Sequence, residues 1–162
     1  MINEVKEMIQ YRLDQLEEFD LPRKTVDYLI KYGVPDNEIL LLQFFSTPSW
    51  YREGLVKIGV EASVNLLCIN NKTGSVVLVN HINATERFVN SNISCLVKCL
   101  ENFQEVKEKR DIAAGDNDYL DEEVNQKLVK KFEEKLYQTD SALKRAEYFW
   151  PLIVEQMEQQ ML

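Results

Sequence analysis

The side chains able to do chemistry are few, and none stands in a recognised catalytic arrangement. One histidine, His81, lies in a polar stretch between two apolar runs. Histidine can serve as a general base near neutral pH, but it needs a nucleophile or an orienting carboxylate within reach. No Ser, Cys or acidic residue stands beside it in a known order, so it reads as a surface residue. Cys95 and Cys99 are four apart, which places two thiols on one helix face and is also a metal-ligand spacing. A structural zinc site takes four Cys or His ligands, and only Cys68 and His81 remain to complete one. Reduced, buried thiols with no metal and no cofactor are the simpler reading. The acidic runs Asp121-Glu122-Glu123 and Glu133-Glu134 belong to solvated helix faces and need no catalytic role. There is no glycine loop for phosphates, no nucleophile elbow and no deaminase zinc signature. The chain reads as non-enzymatic.

Binding chemistry is better represented. Trp50, Tyr51 and Arg52 follow Pro48 in a segment, 46–54, that reads as a loop. Aromatic residues and arginine are the types that carry most of the energy at protein interfaces. The competing reading folds Trp50 or Tyr51 inward as a lid on the core. Charge supplies a second surface. The formal net charge is -8. Residues 1–40 carry nine acids and five bases, 41–100 three and five, and 101–162 fifteen and nine. The flanks therefore hold all the excess negative charge, with Asp116, Asp118, Asp121, Glu122 and Glu123 the densest group. A nucleic-acid binder needs the opposite sign to displace phosphate counterions. An acidic surface suits a basic protein partner, or serves solubility alone.

The elements that must position these residues centre on 57–103. Val64 to Ile69 and Ser75 to Val79 are β-rich runs around a turn containing Gly74, the pattern of an antiparallel hairpin. Gly74 suits the positive φ of that turn. From Ser91 the period changes, and Ile93, Leu96, Val97, Leu100 and Phe103 mark a helix over 92–104, with Asn90 or Ser91 as its cap. Around this unit the pattern predicts a helix over 3–13, a helix over 23–32 stopped by Gly33 and Val34-Pro35, and a buried strand over 38–45. The leucine run of 38–45 also leaves a helical segment open there. The pattern further predicts an exposed, mobile connection over 105–118 and a helix over 120–138. A last helix through Leu143 to Met157 is capped by Asp140 or Ser141 and kinked or restarted at Pro151. Gly33, Pro35, Gly59 and Gly74 read as turn residues, and Trp150 as packing for the last helix. With 162 residues, 45% of them hydrophobic, the chain is expected to form one domain, 1–162. No apolar run approaches the roughly 20 residues that span a bilayer. The first residues lack a secretory leader pattern, so the expected location is cytoplasmic.

Several short motifs in order resemble the SUKH superfamily, and most closely its fourth immunity-protein subfamily. They are Tyr32-Gly33-Val34-Pro35, Lys57-Ile58-Gly59, Cys68-Ile69 with Thr73-Gly74-Ser75-Val76, Phe88-Val89-Asn90-Ser91 with Cys99-Leu100, and Asp140-Ser141-Ala142-Leu143 with Tyr148-Phe149-Trp150-Pro151. Val34 and Asn92 depart mildly from the family's usual Gly-Leu-Pro and Asn-Ser-Ser. The resemblance runs from about residue 20 to 158. It implies an α+β fold in which an antiparallel, curved sheet is wrapped by N- and C-terminal helices, with no catalysis and no cofactor. It also implies protection of a bacterium from a polymorphic toxin by direct, stoichiometric binding, many such toxins being nucleases or deaminases. The partner is then a cognate, basic protein toxin, with no direct contact to nucleic acid or membrane. A regulatory or scaffold role in the same superfamily is an alternative, as is a small-molecule binder or enzyme using the concave sheet face and His81.

Overall fold

The computed structural model describes residues 7–162. The fold is α+β, and its contacts separate it into two compact units, residues 1–97 and 98–162. The boundary falls inside one continuous helix.

The first unit opens with strand β1 (Met8–Ile9), helix α1 (Leu13–Leu16), a 3-10 turn over Glu17–Phe19 and helix α2 (Arg23–Lys31). Strand β2 (Val34–Pro35) then pairs antiparallel with β1. This corrects two expectations. Where residues 7–13 fit a helical stripe, Met8 and Ile9 instead lie in a short ladder opposite Pro35 and Val34, and Asp36 N donates to Glu7 O at 3.1 Å. The earlier part of the predicted helix, residues 3–6, lies outside the described residues. Pro35 is thus a buried strand residue and not a turn.

Gly33 ends α2 for two separate reasons. Its φ is +74°, and a Cβ would fall on the Ile9 carbonyl oxygen of β1. Only glycine meets both demands. Its N–H closes the helix by donating to Tyr28 O at 3.2 Å.

Five strands follow as an antiparallel meander, β3 (Leu42–Arg52), β4 (Leu55–Glu61), β5 (Asn65–Asn70), β6 (Val76–Asn80) and β7 (Glu86–Asn90), paired in chain order. The segment expected to be a loop is the second half of β3. Proline and strand coexist there because β3 is an edge strand and its ladder is interrupted between Phe44 and Ser49, around Pro48. The strand begins at Leu42, not Glu38, because Leu40 and Leu41 form a tight turn at φ of 53° and 64°.

Register assigns the two sheet faces. Trp50, Val56, Ile69 and Val76 lie in one cross-strand row, and Phe44, Gly59, Leu67 and Leu78 lie in another on the same face. Buried aliphatics dominate both rows, and each fully buried side chain contributes about 1.5–3 kcal/mol. Gly59 is another correction. It sits in mid-strand, where a Cβ would come within 2.6 Å of the Gln43 carbonyl oxygen, so its absent side chain permits close approach of β3. Gly74 does occupy a turn, at φ +80°.

Helix α3 (Ile93–Ala114) runs ten residues beyond the end of the predicted 92–104, and takes up most of the expected mobile connection. The capping side chain is Asn92, whose Oδ1 accepts from Cys95 N at 2.8 Å. The cap therefore falls beyond Asn90 and Ser91; Asn90 is buried as the last residue of β7.

In the second unit, the remainder of α3 is followed by α4 (Glu122–Thr139) and α5 (Phe149–Glu158). Trp150 is fully buried and meets Phe132 of α4 edge to face at 6.2 Å, with Phe149 at 5.1 Å. No helix runs from 141 to 148. Pro151 lies in the first turn of α5, where backbone N–H groups lack intrahelical acceptors, so the helix starts there instead of kinking. The buried stripe of α4 is Asn125, Val129, Phe132 and Leu136, while Val124 is exposed. Asn125 is buried with Arg110. Arg110 Nε donates to Asn125 Oδ1 at 3.0 Å, and Asn125 Nδ2 donates to Met157 O at 3.0 Å. No described helix is long and apolar enough to cross a membrane.

Candidate partner-binding surface

Trp50 and Tyr51 are neighbours in sequence but serve opposite faces of the sheet. Trp50 is 41% exposed, and its ring meets the buried Phe19 edge to face at 5.1 Å. It is therefore both available and held, which lowers the entropy lost when a partner covers it. Tyr51 is half-buried against Leu55, Cys68 and Val79, with Leu66 and Val77 beside it. The separation is the ordinary alternation of a strand. The bulge that follows, in which Trp50 pairs with Val56 and Arg52 with Leu55, leaves Tyr51 extra and brings it to the same face as Arg52.

Arg52 reaches Glu86 of β7, with Nη2 and Oε1 3.7 Å apart. These residues belong to the first and last strands of the meander and to opposite ends of it. Four strand spacings of about 4.8 Å would separate the two edges of a flat sheet by about 19 Å. The pair can meet only because the sheet curls on this face. Beneath it the Cys68 thiol is fully buried, and its pKa is pushed up to about 12, mainly by desolvation. Lys57 and Arg52 oppose that shift and Glu86 adds to it. This thiol is inert, as its burial requires. Cys99 is also buried, and Cys95 is half-buried. Among the described residues no three or more His, Cys, Asp or Glu side chains come together as a metal site.

The acidic group belongs to the second unit, in the exposed connection after α3 and the first turn of α4. Its members differ in use. Asp121 caps α4, with Oδ1 accepting from Glu123 N at 3.1 Å and Val124 N at 3.3 Å. Glu123 pairs with Lys127 at 3.3 Å, and Glu122 accepts from Gln126 at 3.4 Å. Both glutamates also sit where the helix dipole favours negative charge. Asp116 and Asp118 are exposed in the connection itself. His81 is exposed, and its Nδ1 donates to Val64 O at 2.7 Å, which fixes the tautomer because a carbonyl can only accept. Sequence reasoning missed Glu86 as the partner of Arg52, and no local signal could have linked residues on opposite edges of the meander.

No curated protein and no solved structure matches the chain. A family model described as SUKH-4 immunity protein matches residues 6–156, a span that includes every motif from Gly33 to Trp150 and runs through both compact units. The chain belongs to the SUKH-4 immunity protein family.

Proposed function

We propose that this protein is the immunity partner of a bacterial polymorphic toxin and neutralises it by direct, stoichiometric binding in the cytoplasm. The observation that carries this reading is the family match over residues 6–156. That span also supports treating the two units as parts of one functional domain. The reading assigns no catalysis to the chain, which acts by occupancy. The toxin is a basic protein, a nuclease or another enzyme that modifies nucleic acid, since such enzymes carry positive charge to hold phosphates. An inhibitor of net charge -8 attracts that surface over distance and covers it at contact. Trp50, with Tyr51 and Arg52 at the same end of β3, is the anchor. Asp116, Asp118, Asp121, Glu122 and Glu123 steer the approach.

The decisive experiment is co-expression with the toxin encoded beside this chain's gene. Growth rescue with a one-to-one complex on size exclusion is the expected result. A toxin that remains lethal and fails to bind would overturn the reading.

A further inference from the structure

The end of the meander opposite the β3–β4 turn carries three neighbouring turns, and their residue types go against their backbone. Leu40 and Leu41 lie between Ile39 and Leu42, which exchange hydrogen bonds of 3.1 and 2.8 Å. Ala62 and Ser63, at φ of 51° and 59°, form the β4–β5 turn, with Val64 N donating to Glu61 O at 3.0 Å. Both turns place two consecutive residues in the left-handed region, where Asn-Gly or Asp-Gly is the ordinary solution. Bulky L-residues are strained there, because Cβ crowds the following carbonyl oxygen.

Leucine at such a position earns nothing from the core when its side chain points out. Leu41 is 58% exposed. Val64, just after the second turn, is 46% exposed, and Ile82, in the β6–β7 turn, is 80% exposed. The turns are tied into one surface. Ala62 N donates to Leu41 O at 2.9 Å, joining the first to the second. The His81–Val64 hydrogen bond joins the second to the third. Ile82 is held in turn by its N–H donating to Asn80 Oδ1 at 3.0 Å. Three exposed aliphatic side chains thus stand on a cross-linked frame of left-handed turns.

We infer that Leu41, Val64 and Ile82 form a contact ridge for the protein partner, an aliphatic wedge that enters an apolar hollow bordered by basic residues. The inference rests on the immunity reading and adds a second contact to the Trp50 end of the sheet. Exposed Glu38, next to Ile39, and partly exposed Glu61, which opens the β4–β5 turn, border the ridge with negative charge. That charge matches a basic partner. A second copy of this chain is the poorer occupant, since two molecules of net charge -8 repel.

The test uses the full chain and a catalytically inactivated form of the toxin encoded beside its gene. Leu41→Gly with Ile82→Ser removes two ridge side chains while giving the first turn its preferred residue. The variant should keep a denaturation midpoint no lower than wild type and bind the toxin about thirtyfold or more weakly. Equal binding by the variant and wild type would overturn the ridge and leave the immunity reading standing. No binding by wild type would overturn both. A wild-type dimer that the variant converts to monomer in sedimentation would overturn the assignment to the toxin in favour of self-association. A variant with a clearly lower midpoint would show that the leucine serves the fold, and would overturn the inference.

Discussion

At Asn92 a side chain caps the helix that follows β7. Its Oδ1 takes the N–H of Cys95, one of the donors that the first turn of α3 leaves without an intrahelical acceptor. Asn92→Ala should cost about 1 kcal/mol in urea denaturation, within the range measured for lost caps. Cys68 makes a second point at this scale. Its thiol stays neutral in the folded protein to about pH 12, whereas in the unfolded chain it ionises near its ordinary value of 9.0. The raised pKa contributes stability that is fully present below about pH 9 and is lost as pH rises toward 12. Replacing Cys68 with Ala should remove that alkaline component from a pH series of denaturation midpoints. In wild type, iodoacetamide at pH 8 should leave Cys68 unlabelled until the chain is unfolded.

Elements were legible wherever local pattern and tertiary demand agree. The β5–β6 hairpin, α2 and α4 follow directly from alternation, helical period and Gly33 or Gly74 at the ends. Legibility failed where a distant partner decides. Met8 and Ile9 fit a helical stripe, but pairing with Val34 and Pro35 makes them strand. Pro48 argued for a loop, yet an edge position and an interrupted ladder accommodate it within β3. The second half of α3 was hidden because its buried positions are only Val106 and the charged Arg110, while the apolar Ile112 faces outward. Arg110 is buried there and donates to Asn125, also buried, and desolvation lowers its pKa against the opposing effect of Asp111. Arg110→Met should cost about 1–3 kcal/mol, since Asn125 Oδ1 loses its donor. Adding Asn125→Leu should recover part of that loss, because Met157 O still accepts from Gln160 N at 3.1 Å. Denaturation of the single and double variants checks both numbers. In the candidate surface, Trp50 and the acidic run could be picked out by residue type. Leu41 could not, because its significance lies in a backbone angle.

For the whole molecule, charge and anchor should separate in time. Neutralising Asp116, Asp118 and Glu122 leaves the α4 cap intact and removes negative charge from an exposed segment. Association with the toxin should slow and lose much of its salt dependence, while dissociation stays close to wild type. Trp50→Ala should instead speed dissociation by a factor corresponding to about 2 kcal/mol, with little change in association. Surface plasmon resonance over a salt series reads both. A salt-independent association rate would dismiss the steering role.

The ion pair between Arg52 and Glu86 also bears on the order in which the molecule assembles. Each strand of the meander pairs with its neighbour in sequence, so loop closure is short at every step and the hairpins can form early. The contact from Arg52 to Glu86 becomes available only after all five strands have paired and the sheet has curled. Its formation is thus expected on the native side of the folding barrier. Glu86→Gln should therefore leave the refolding rate near wild type and raise the unfolding rate, by up to about fivefold for a pair this exposed. Stopped-flow refolding and unfolding limbs would show it, and a slowed refolding limb would place the closure before the barrier instead. The salt bridge then acts as a latch on the lifetime of the finished sheet, with no influence on how quickly the sheet is made.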